Sequence, residues 1–173
     1  GGNDRSPFWS ADGSQIAFTR YTDKGANIFV MDNNGQNVRA LTDTTDNITL
    51  YGWMPNGRSL IYSLAQPDGS HIQALDIDSS VVQDLMVVHD EASESVSVSP
   101  DGKWIAFTDK VTGRMTPGIF VSRLDNSEKR LIVQLDYWVA DRPRWGPDGK
   151  WLAFEVIDMD QMTSHPDSAL LSV

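Results

Sequence analysis

The 173-residue chain has a formal net charge of −10, a hydrophobic fraction of 40%, six tryptophans and no cysteine. The acidic balance argues against nucleic acid, which needs a basic stripe to displace counterions, and against an anionic lipid surface. The missing cysteines exclude disulfides and thiolate metal sites, and no apolar run approaches the ~20 residues that cross a bilayer.

In chain order, one nine-residue unit recurs four times: SADGSQIAF from Ser10, MPNGRSLIY from Met54, SPDGKWIAF from Ser99 and GPDGKWLAF from Gly146. Each reads as a tight turn leading into a strand. Proline presets φ at the second turn position, Asp or Asn suits the third, and glycine closes the turn where φ is positive. The turn glycines are Gly13, Gly57, Gly102 and Gly149, separated by 44, 45 and 47 residues. Four residues before each glycine stands an apolar residue: Trp9, Trp53, Val98 and Trp145. After each glycine come Ile16-Ala17-Phe18, Leu60-Ile61-Tyr62, Ile105-Ala106-Phe107 and Leu152-Ala153-Phe154. These triplets are apolar on both faces, so each small sheet is expected to be covered on both sides by neighbouring sheets. The three equivalent tryptophans are expected to be largely buried where sheets meet.

Third strands are expected at Ile28–Met31, Ile72–Leu75 and Ile119–Val121, and fourth strands at Val38–Leu41, Val82–Leu85 and Arg130–Val133. Turns rich in Asp, Asn and Ser separate each pair. No segment has a sustained helical period. Four strands at this period make a propeller blade. The expected blades cover residues 4–47, 48–91, 92–138 and 139–173, all in one all-β propeller segment. The last ends on its third strand, at Ala169–Val173. That apolar strand is expected to pair with another chain, a second copy or another subunit that completes the ring, unless the chain is a fragment with its continuation missing.

The run PFWSADGSQIAFTR…IFVMDNNGQNVRALTD, with its three further copies, resembles the WD-like repeat of TolB-type β-propellers. Met54 before Pro55 and Val98 in place of tryptophan depart from that pattern. The resemblance implies a ring of six or more blades in a periplasmic, extracellular or cell-surface bacterial protein. The family includes TolB, which binds partner proteins, and the propeller domains of prolyl-oligopeptidase-like serine peptidases, which gate substrate access.

The chemistry-bearing residues are sparse. There is no G-x-S-x-G nucleophile elbow, no H-E-x-x-H and no phosphate-binding glycine loop. His71, His89 and His165 fall in different repeats, and the pairs Asp76/Asp78 and Asp158/Asp160 offer too few oxygens for calcium. A non-enzymatic module with no cofactor and no metal is therefore expected, its partner a protein or peptide. Residues 48–91 carry six acids against Arg58 alone. The rim loops gather His89, Asp90, Glu91 and Glu94, then Tyr137, Trp138, Asp141 and Arg142. Aromatics beside charged groups are the residue types of interaction hot spots. Packing of Tyr137 and Trp138 between blades is the competing expectation, and a carbohydrate-active propeller is a third functional reading.

Overall fold

The computed structural model describes residues 3–89, 95–158 and 167–172. The chain forms two compact units, residues 1–87 and 88–173. Every regular element among the described residues is a strand, and no helix is long and apolar enough to cross a membrane.

The first unit holds two four-stranded antiparallel meanders. One contains β1 (Asn3–Trp9), β2 (Gln15–Thr22), β3 (Gly25–Asp32) and β4 (Arg39–Ala40). The other contains β5 (Ile48–Trp53), β6 (Ser59–Gln66), β7 (Gly69–Asp76) and β8 (Val82–Val88). In the second unit, β9 (Val96–Val98), β10 (Trp104–Asp109), β11 (Gly118–Arg123) and β12 (Lys129–Gln134) form a third meander. It is followed by a three-stranded sheet of β13 (Trp138–Trp145), β14 (Trp151–Asp158) and β15 (Asp167–Ser172). These are the expected blades, the last with three strands.

The repeated turn has one geometry in all four copies. The glycine N–H donates to the carbonyl three residues back, from Gly13 to Ser10, Gly57 to Met54, Gly102 to Ser99 and Gly149 to Gly146, at 2.8–3.0 Å. Each glycine has φ of 69° or 70°. The side chain at the third turn position holds the loop. Asp12 Oδ1 accepts from the Ser10 hydroxyl (2.7 Å) and the Ser14 N–H (3.0 Å), and Asp101 Oδ1 accepts from the Ser99 hydroxyl (2.6 Å) and the Lys103 N–H (3.1 Å). The hydroxyls of Ser10 and Ser14 and the Ser14 amide lower the Asp12 carboxyl to about 2. A Cβ at Gly102 meets no atom, so Gly102→Ala is strained only through its left-handed backbone. It is expected to cost about 1–2 kcal/mol, read as a lower midpoint in urea.

Each unit is built around one contact between consecutive blades. Alternation gives a blade two faces. The leading face carries the repeat tryptophan and the outer residues of the apolar triplet; the trailing face carries the triplet's middle residue. In the first unit Trp53, Leu60, Tyr62 and Leu75 of the second blade share a core with Ala17, Ala26 and Ile28 of the first. In the second unit Trp145 and Leu152 pack on Ala106 and Val121, and Phe154 on Ile119. A hydrogen bond repeats across both contacts. The Trp53 indole N–H donates to the Phe8 carbonyl (3.0 Å), and the Trp145 indole N–H donates to the Ser97 carbonyl (3.1 Å). Phe8 and Ser97 occupy equivalent positions, so successive blades stack in the same register. Phe8 also lies against Gly52, where a Cβ would come within 3.1 Å of its ring.

Two expectations need correction. Trp9 is 57% exposed, because it lies on the leading face of the first blade, where no sheet of its own unit covers it. The fourth strand of the first blade is only the two residues Arg39–Ala40, short of Val38–Leu41. There side chains replace the ladder: Thr42 Oγ1 accepts the Ile28 N–H (2.9 Å), and Asn27 Oδ1 accepts from Thr42 and Thr44.

Candidate interaction surface

At one end of the second unit, the β10–β11 and β12–β13 connections are tied together. The Thr116 hydroxyl donates to the Leu135 carbonyl, the Gln134 amide donates to Thr116 Oγ1 (2.9 Å), and Arg114 pairs with Asp136 at 2.8 Å. Apolar side chains of the two loops lie outside these bonds. Met115 is fully exposed, Tyr137 is 81% exposed and Trp138 41%. Tyr137 therefore does not pack between blades, while Trp138 is more than half covered. A cluster of exposed large apolar side chains flanked by an ion pair has the composition of a protein-binding surface.

The loops rest on a buried carboxylate. Asp109, at the end of β10, accepts the backbone N–H of His89 (2.9 Å) and of Lys110 (2.9 Å), and pairs with Lys129 at 2.9 Å. The Lys129 ammonium also lies over the rings of Phe107 and Phe120, at 5.1 and 4.5 Å. Burial by itself would raise the Asp109 carboxyl; Lys129 and the two amides outweigh it and hold the group below its usual range.

The remaining candidate residues are dispersed. His89 is exposed at the end of β8 and contributes its backbone to Asp109. Asp90, Glu91 and Glu94 lie outside the described residues. Asp141 accepts from the Thr108 hydroxyl at 2.9 Å, a bond between neighbouring blades, and Arg142 pairs with Glu155 at 2.9 Å. Asp76 is a turn former whose carboxylate accepts from Asp78 and Ser79. No group of three His, Asp or Glu side chains able to hold a metal ion occurs among the described residues. Sequence reasoning missed Met115 and Arg114, since an isolated methionine in a polar loop carries no pattern.

The opposite end of the same unit carries a cleft of about 360 Å³ between the Gly102 and Gly149 turns, lined by Trp104, Trp145, Arg130 and the turn residues. Those two turns therefore lie side by side at one end, as the repeat implies.

No protein-family model matches the chain. The chain is 26% identical to a TolB-type protein from Agrobacterium tumefaciens whose structure is known, with a TM-score of 0.74 over 88% of this chain and 53% of that one. The fold is that of a TolB-like β-propeller. Two curated sequences are also similar. One is an uncharacterised protein of Agrobacterium fabrum, 30% identical over 161 residues, 91% of this chain and 52% of that protein. The other is the uncharacterised peptidase YuxL of Bacillus subtilis, 27% identical over 151 residues, 86% of this chain and 21% of that protein. The TolB-like chain thus spans about half the length of the first relative and a fifth of the second.

Proposed function

We propose that this TolB-like segment is a non-catalytic binding module of a bacterial periplasmic or cell-surface protein. It recognises a protein or peptide through the loops around Met115, Tyr137 and Trp138. The observation that carries this reading is the exposure of those three side chains on loops that are tied to each other by hydrogen bonds and an ion pair. A rigid aromatic anchor limits the ordering cost of binding, and truncation of such anchors removes most of the energy of an interface.

The double variant Met115→Ala/Tyr137→Ala is expected to change folding stability by less than about 0.5 kcal/mol, as exposed substitutions do. It is expected to abolish capture of the partner that a photo-crosslinker at the neighbouring exposed Thr112 traps in bacterial envelope extracts. Undiminished capture by the double variant would overturn the assignment. The likeness to a peptidase favours a second reading, in which the segment belongs to the substrate-gating propeller of a larger hydrolase. A hydrolase domain encoded in the same gene would decide for it.

A further inference from the structure

We infer that the outer edge of β8 accepts an added strand from a partner protein, an extended segment with a lysine or arginine between apolar residues. Each of the first three blades ends on an outer strand that pairs on one side only: β4, β8 and β12. Radial stacking joins blades face to face, so these edges point outward whatever the number of blades, and they are normally short and protected. Unpaired N–H and C=O groups along a longer, uncharged edge would template another chain. Two of the three strands are guarded. β4 is cut to Arg39–Ala40, and beyond it the Thr42 side chain, not a strand, takes the Ile28 N–H. β12 opens on Lys129 and Arg130, whose side chains are about half exposed.

β8 has neither device. It runs for seven residues, Val82–Val88, with no Lys, Arg or Pro. Gln83 stands as far from its turn glycine, Gly57, as Arg39 does from Gly13, and Arg130 pairs with Val121 as Arg39 pairs with Val30. The position that is arginine in both guarded strands is thus a neutral, exposed glutamine in β8. Val81 and Val82 are exposed beside it.

Charge selects the occupant. Alternation places Val82, Asp84 and Met86 on one face of β8. The exposed Asp84 carboxylate accepts from the Gln73 amide at 2.6 Å, and among the described residues no cation pairs with it. Arg58, the one Lys or Arg of residues 48–91, pairs with Asp76 and Asp78 instead. A cation opposite Asp84 on an added strand makes a favourable cross-strand pair, and apolar residues two places to either side meet Val82 and Met86. A second copy of β8 brings another aspartate and no cation. The edge is independent of the loops around Met115 and Tyr137.

The probe is a short fluorescent peptide of alternating threonine and valine, its central valine replaced by lysine. Fluorescence anisotropy is expected to show that it binds the 173-residue chain, and that glutamate at its centre weakens binding about fivefold or more. Asp84→Lys is expected to reverse that preference. Gln83→Arg, which installs the guard of the sister strands, is expected to abolish binding of the lysine peptide. Both substitutions are at exposed positions and should leave folding intact by circular dichroism. Amide exchange is expected to slow along Val82–Val88 when the lysine peptide is bound, and Met115→Ala/Tyr137→Ala should bind it unchanged. No binding, equal affinity for the two peptides, or protection elsewhere than β8 would overturn the inference. So would a wild-type chain that self-associates and ceases to do so with Gln83→Arg, since the edge would then belong to a second copy.

Discussion

Truncation of Trp145 to alanine is expected to lower the stability of the second unit by about 3 kcal/mol, the low end of the range for aromatic-to-alanine changes in a core. The low end applies because Trp145 is half-buried, with one edge of its ring on the cleft between the two turns. The change removes a ring packed on Ala106 and Leu152, and it leaves the Ser97 carbonyl without the indole N–H. Trp145→Phe separates the two effects, since it keeps most of the packing and loses only the hydrogen bond, at about 1 kcal/mol. Urea denaturation followed by circular dichroism measures both. A loss below about 1 kcal/mol for the alanine variant would show that this contact does not hold the blades together. Trp9→Ala is the control: the same residue type at the same repeat position is expected to cost little in the isolated monomer.

Lys129→Met should be nearly as damaging, at about 3 kcal/mol, because it leaves the Asp109 carboxylate buried with only two amides for company. The effect depends on pH. The Asp109 carboxyl sits below its ordinary value in the folded chain and near about 3.9 when unfolded, so the folded state binds fewer protons in that window. Its stabilisation is complete above the unfolded value and is lost as the pH falls through the folded one. In the methionine variant burial prevails and raises the carboxyl above its unfolded value, so the sign reverses: the loss of stability is largest near neutral pH and is relieved as the carboxyl protonates on acidification. Asp109→Asn keeps an acceptor for the His89 amide and should flatten the acid limb. Thermal melts between pH 2 and 7 test this; unchanged acid limbs in both variants would rule it out.

The architecture was legible because its signals are local. A turn whose φ of about 70° suits glycine, an acid or asparagine that accepts its own loop's N–H groups, and a two-sided apolar triplet are properties of nine consecutive residues. Their recurrence every 44–47 residues sufficed to set the strands and their grouping into blades. The third strands fell where expected for the same reason. The fourth strand of the first blade did not, because the competing partners, Asn27 and Thr42, lie 15 residues apart and meet only once the hairpin has formed.

Tertiary structure decided everything that depends on a neighbour. Trp9, Trp53 and Trp145 are indistinguishable in sequence, yet two are stapled to a preceding blade and the third is open, since burial belongs to the contact and not to the residue. Asp109 reads as the end of a strand until His89, 20 residues away, brings its amide to it. Met115 and Tyr137 become one surface only because Thr116, Gln134 and Arg114 tie their loops together. Local chemistry writes the repeat, and the packing of one copy on the next determines which identical residues hold the fold and which remain exposed.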